Sequence, residues 1–253
     1  MYLSAERLAL ANQAVKETFG QCSVAWQAIP HWDTGDPGQI SVPNGILSAP
    51  NLITVKTKPK TLELTLAEVI APTPDALLIG VTTATKDLAQ DVDDDVLPEL
   101  YKAATKIKTG FTAPPLIDAL IVARADVENA GYRAPSCLIT NTEGLQKLSQ
   151  LVSGYSVLPQ MLSAANANAL HRVQVLNPPA TTTRMVLIGR RRRIPQGAAP
   201  EASPGEEPVD LAVSLLPSLE VDGEIGSGKI QLTVRIRYAA RITDATGLAA
   251  LHP

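Results

Sequence analysis

Apolar positions along the chain recur with two different periods, and the switches between them mark its elements. In residues 4–19, Leu8, Ala11, Val15 and Phe19 return at helical spacing. Ser4 is placed to cap the start and Gly20 to end it, so the stretch predicts an amphipathic helix. Residues 85–106 carry a second helical pattern on Leu88, Val92, Val96, Leu100 and Ala103, with Pro98 predicting a restart inside it. Residues 114–130 carry the strongest one. Pro114 and Pro115 suit a first turn, Ile117, Leu120, Ile121 and Val127 follow, and Gly131 ends it. "SCLIT" then reads as a short buried strand. Asn141 or Thr142 caps a helix over "EGLQKLSQLV", and a further helix covers roughly 158–169.

Period two takes over elsewhere. Ile230, Leu232, Val234, Ile236 and Tyr238 alternate with Gln231, Thr233, Arg235 and Arg237, the pattern of a half-buried strand. The Gly-Ser-Gly before it predicts a hairpin turn. "RVQVL", "RMVLIG" and "VDLAVSLL" read as strands. Residues 52–67 predict a long hairpin that turns at Lys58-Pro59-Lys60, with Leu62, Leu64 and Leu66 on the return. Its lysine-rich tip (Lys56, Lys58, Lys60) is either solvated or directed at an acidic surface of another subunit. Between the first helix and this hairpin lies an irregular arm with both tryptophans. Trp26, Ile29 and Trp32 need an apolar surface to lie on, and the pattern leaves open whether the same chain or a neighbour provides it. Residues 195–208 are rich in Pro, Gly, Ala and Glu and predict an exposed loop. No internal repeat is visible.

Composition narrows the picture. The apolar fraction of 45% supports a sizeable core, and with aromatics at 4% that core must be Val, Ile, Leu and Ala. A net charge of −3 argues against a chain that coats nucleic acid through its overall field. Cys22 and Cys137 have neither metal spacing nor a disulfide framework, and whether they meet is open. His31, His171 and His252 form no cluster in sequence. No apolar run has membrane-spanning length and the first residues lack a signal-peptide centre. The expectation is a soluble protein that stays in the cytosol or leaves without a secretion signal.

Candidate chemistry is sparse. Gly223, Gly228 and Lys229 have the G-x-x-x-x-G-K spacing of a phosphate-binding loop. Such a loop needs a Ser or Thr next for the metal and a helix after it, whereas Ile230 and a strand follow here. A structural turn is the better reading. Asp91, Asp93, Asp94 and Asp95 lack the glycine and distal glutamate of a calcium loop and read as a solvated helical face. Asp118 and Glu128 do not make a reasoned acid–base pair. No catalytic, cofactor-binding or metal residue is assigned, and no cofactor is expected. The run Arg190, Arg191, Arg192 and Arg193 reads either as a phosphate or nucleic-acid contact or as a strand end balanced by Glu201, Glu206 and Glu207. The balanced strand end is the preferred reading.

Taken in order, the elements of this α+β chain resemble the Hong-Kong-97 fold of tailed-phage major capsid proteins and encapsulin compartments. "GYRAPSCLITNTEGLQKL", "HRVQVL" with "RMVLIGRRRR", and "GKIQLTVRIRYAARITDATGLAAL" carry the resemblance by pattern and order. It implies an N-terminal arm over 1–40 and an extended E-loop-like hairpin over 41–70. It implies a peripheral domain over 71–134 and 213–253 with the 114–130 helix as its spine, and an axial domain over 135–212. The function implied is structural rather than enzymatic: self-assembly of hexamers and pentamers into an icosahedral shell, without a membrane. That shell would be a phage or prophage capsid around packaged DNA, found in the virion, or an encapsulin-like compartment around a protein cargo in the bacterial cytoplasm. Trp26, Ile29, Trp32, Lys56, Lys58 and Lys60 become subunit-interface candidates. The short stretch before the hairpin leaves no room for a large scaffolding segment, so a separate scaffold or none is expected. Two other classes stay in play: a nucleotide-binding enzyme using Gly223–Lys229, and a monomeric binding module.

Overall fold

The computed structural model describes residues 3–44, 51–174, 176–178, 181–191, 207–226 and 228–253. Helix α1 (Ala5–Cys22) begins where Ser4 accepts a hydrogen bond from the Arg7 amide, and it buries Ala11, Val15 and Phe19 as its spacing requires. A short helix α2 (Val24–Ala28) and strand β1 (His31–Asp33) follow. Strands β2 (Ser41–Asn44) and β3 (Asn51–Thr54) pair antiparallel, and β4 (Lys56–Thr65) is separate from them. Helix α3 (Leu66–Ile70) opens with a capping box between Thr65 and Glu68.

The longest helix is α4 (Asp75–Ala103), 29 residues long. It starts ten residues before the expected position and runs through Pro98 without a restart. The missed turns contain Thr82, Thr83 and Thr85, poor helix formers by propensity. Their hydroxyls donate to the carbonyls of Leu78, Ile79 and Val81 at 2.7–2.8 Å. Burial of Leu77, Val81, Leu88, Val92 and Leu97 decides the matter in favour of helix. The helix expected as the spine, α5 (Ala113–Asn129), is shorter and packs elsewhere.

Two sheets organise the rest. The first has strand order β1, β11 (Val209–Glu224), β12 (Lys229–Ile242), β4. The second has order β5 (Thr105–Lys108), β13 (Leu248–His252), β10 (Met185–Arg190), β6 (Ala134–Asn141), β9 (Ala167–Val173). Both faces of the second sheet are buried. Cys137, Ile139, Val186, Ile188, Leu248 and Ala250 join the core under α1 and α4. Leu138, Met185, Leu187, Ala249 and Leu251 join a second core under α5 and α7 (Leu158–Ala164). That double burial is why "SCLIT" and "MVLIG" are uninterrupted apolar runs. Residues 105–108 and 248–252 belong to this sheet, and α5 covers it. The sequence ranges 71–134, 135–212 and 213–253 therefore do not follow the sheets, because strand pairing between distant segments leaves no local trace.

Three local expectations are corrected. Lys58-Pro59-Lys60 is not a turn: it lies mid-strand in β4, opposite Ile236, Arg235 and Val234 of β12. β4 is an edge strand, where a residue without an N–H is tolerated. The true hairpin is β2–β3, whose connection, 45–50, lies outside the described residues. The helix expected over 158–169 stops at Ala164, where Asn166 takes a left-handed conformation (φ 50°) and the chain turns into β9. The preceding helix α6 (Thr142–Leu148), capped by Asn141, ends earlier than expected. Beyond it Leu151–Val152 (β7) pairs with Tyr155–Ser156 (β8) across Ser153 and Gly154, both at positive φ.

Candidate functional site

The arm lies on its own chain. Trp26 stacks on His31 at 3.9 Å and meets Phe19 edge-on at 5.4 Å. Ile29 is fully buried. Trp32 donates from Nε1 to Asp210 at 3.1 Å, and the Arg241 guanidinium lies 4.9 Å from its ring. Arg241 in turn grips Asp210 with two hydrogen bonds of 2.7 and 2.6 Å and reaches the Pro43 carbonyl at 2.9 Å. This pair is buried, with side-chain exposures of 5% and 0%. It ties β1, β11, β12 and the β2–β3 hairpin together at one point.

The acidic run of α4 is a solvated face only in part: Asp94 is exposed, but its neighbours are engaged. Asp93 is buried and accepts from Ser23 Oγ and from the Val24 and Ala25 amides, each at 2.8 Å, so it caps α2. Burial pushes its carboxyl up to about 6, against the lowering effect of those three donors. Asp95 and Asp91 face the edge strand. Lys56 and Lys58 meet Asp95 at 2.8 and 3.4 Å, Lys60 meets Asp91 at 2.8 Å, and the Tyr238 hydroxyl donates to Asp95 at 2.9 Å. Burial alone would raise the Asp95 carboxyl. The hydrogen bonds from Lys56 and Tyr238 and the lysine charges bring it below its ordinary value. The three lysines thus pin β4 to α4 instead of standing at a hairpin tip. Asp95→Ala is expected to lower stability by about 1 kcal/mol, the scale of a part-exposed pair. In urea unfolding the difference from wild type should shrink in 1 M salt.

The arginine run divides. Arg190 is buried and donates to the Ala28 carbonyl. Arg191 lies over the Tyr132 ring at 4.6 Å, donates to its hydroxyl at 3.2 Å and approaches Asp244 at 4.0 Å. Tyr132 donates to Asp244 at 2.8 Å, and its hydroxyl is raised well above the usual range, chiefly by burial. Glu207 accepts from the Arg191 amide at 3.3 Å. Arg190 and Arg191 are both tied into the fold, and this cluster holds the described chain ends at Arg191 and Glu207 together. Arg192, Arg193, Glu201 and Glu206 lie outside the described residues, with most of the loop expected over 195–208.

The G-x-x-x-x-G-K stretch is a turn, as expected, with Gly226 and Gly228 at positive φ. Ser227 lies outside the described residues. Lys229 begins β12, pairs with Glu63 at 3.0 Å and has no helix after it. Cys22 is exposed, Cys137 is buried, and both are free. Glu128 pairs with Arg124 at 2.6 Å, so it makes no acid–base pair with Asp118. Among the described residues no group of three His, Cys, Asp or Glu is placed to hold a metal, and no helix is long and apolar enough to cross a membrane.

Several large apolar side chains are also exposed. Ile40 and Leu52 stand out beside and on the β2–β3 hairpin, at 74% and 71% exposure. A groove of about 760 Å³ runs between α5 and α7, lined by the apolar Ile121, Ala125, Pro159 and Ala164 and by Arg124, Glu128, Gln160 and Ser163. Next to it the β7–β8 hairpin exposes Leu151, Val152 and Tyr155. Apart from Ile121, which belongs to the helical pattern of 114–130, none of these was singled out from periodicity, since exposed apolar residues break a pattern instead of making one. A different signal was available: no charged residue occurs from Leu148 to Leu170.

No family model matches the chain, and no curated protein does. Solved structures do. The virus-like particle from Pyrococcus furiosus is 16% identical, with a TM-score of 0.70 over 98% of this chain and 99% of that one. The mature capsid of bacteriophage PhiM1 is 9% identical, with a TM-score of 0.55 over 91% and 86%. An encapsulin complex from Synechococcus elongatus is 10% identical, with a TM-score of 0.52 over 90% and 85%. The expected fold class holds: the chain has the Hong-Kong-97 fold of capsid and encapsulin shells.

Proposed function

We propose that this chain is the subunit of a self-assembling icosahedral shell, and that the shell is a phage or prophage capsid around DNA. The observation that carries the reading is the end-to-end likeness to a virus-like particle subunit, 98% of one chain on 99% of the other. Likeness along nearly the whole of both chains favours the same use of the fold. The surface agrees. Ile40, Leu52, Leu151 and Tyr155 are each more than two-thirds exposed, and large apolar side chains in such numbers suit contacts made only on assembly. The buried Asp210–Arg241 pair and the Asp93 cap serve to hold the fold, which fits a structural part. Lys229 is held by Glu63 in a strand, which disfavours the nucleotide reading.

A protein-filled compartment is the second reading, favoured by the likeness to an encapsulin complex. Sedimentation of the protein expressed alone tests the proposal. Particles of many copies are expected, and a species that stays a monomer at high concentration would end the reading that the chain builds the shell by itself. Nuclease-protected DNA in particles from the native host supports the capsid; a co-purifying protein inside them supports the compartment.

A further inference from the structure

We infer that the β7–β8 hairpin of one copy seats in the α5–α7 groove of the next, making a head-to-tail contact between copies. The inference rests on the shell reading and names one of its interfaces. Three observations converge on it. Leu151, Val152 and Tyr155 are 69%, 47% and 78% exposed at the end of a two-stranded hairpin only a few residues long. The groove is open, with Ile121 about half exposed on its α5 side beside Ala125, Pro159 and Ala164, and with the Arg124–Glu128 pair, Gln160 and Ser163 also lining it. Both the hairpin and α7 fall in the 23-residue stretch Leu148–Leu170 that has no charge. Charged residues are 19% of the chain, which would place about four in a stretch of that length.

Loss of charge at exposed positions is the compositional mark of the core of a protein interface. It also selects the partner. A nucleic acid would call for free Lys and Arg on this surface; the hairpin and α7 have none, and Arg124 at the groove is tied to Glu128 at 2.6 Å. A second copy needs only what the chain already displays: an apolar knob and a groove that it does not fill itself. The knob is held ready. Gln150 Nε2 donates to the Phe111 carbonyl at 2.8 Å, the Val157 amide donates to the Gln150 carbonyl at 3.2 Å, and Met161 is buried in the core below. Little ordering therefore remains for the contact to impose. The two surfaces are different parts of one chain, so a copy that offers its hairpin keeps its groove for another. Such a contact closes into rings when the rotation allows.

Cross-linking of assembled particles tests this. In a Cys22→Ser background, Tyr155→Cys and Ile121→Cys are combined, and particles are treated with an oxidant or a short bismaleimide. Cys137 is buried and stays silent. Chains linked into trimers and larger species on denaturing gels are expected, and neither single-cysteine variant should give them. Particles that yield no links, or links that stop at the dimer, overturn the contact and leave the shell reading intact. A wild-type protein that forms no particles removes unaided assembly and this contact together.

Discussion

Arg241→Ala is expected to destabilise the subunit by about 3–5 kcal/mol, because it leaves a fully buried Asp210 carboxylate without its cation. The loss goes beyond the pair. Arg241 also donates to the Pro43 carbonyl and lies on the Trp32 ring, and Trp32 donates to the same carboxylate. One truncation therefore loosens β1 and the β2–β3 hairpin along with the two central strands. Asp210→Ala should be similarly costly, since it strands a buried guanidinium. A paired replacement, Arg241→Met with Asp210→Leu, should recover most of the loss, because it removes both charges from a dry site. Urea unfolding of the subunit below its assembly concentration measures all three. A loss under about 1 kcal/mol for Arg241→Ala would mean that water reaches the pair and that it does not join these elements.

Gly247→Ala is expected to cost about 3 kcal/mol or more, through overpacking. A Cβ at this position would lie 2.8 Å from Tyr132 Cε2 and 2.9 Å from Pro208 Cγ, with Pro208 Cβ nearer still. Neither neighbour is the free end of a flexible side chain. Pro208 is a ring that opens β11, and Tyr132 is buried and hydrogen-bonded to Asp244. The strain must go into the cluster that holds the chain at Arg191 and Glu207 together. A fall of several degrees or more in melting temperature is expected, together with a weakened Tyr132–Asp244 hydrogen bond. Wild-type melting behaviour would show that the close approach relaxes at little cost.

Local patterns were legible in the sequence and long-range partners were not. Leu8, Ala11, Val15 and Phe19 announced α1, and the alternation from Ile230 to Tyr238 announced β12, because each pattern lies within a single element. The first turns of α4 were hidden behind threonines whose hydroxyls are satisfied only once the helix exists. The lysines of β4 read as a turn because Lys-Pro-Lys resembles one, and their partners, Asp91 and Asp95, lie on another element. The site shows the same limit. Trp26 and Trp32 plainly needed a surface, yet Trp32 finds it on Asp210, 178 residues away. Arg190 read as exposed because it sits in a run of arginines, and only the packing of α2 over the second sheet buries it. The uncharged stretch at 148–170 was visible in the sequence but had no meaning until α7 and the hairpin placed it on the surface.

Electron microscopy of the purified chain, expressed without other proteins, tests the central claim most directly. Closed particles of uniform size with icosahedral symmetry are expected, with subunit density that fits the two-sheet fold and with β7–β8 against a neighbouring α5–α7 groove. Monomers at high concentration, or aggregates without closed symmetry, would contradict the claim that this chain builds a shell by itself.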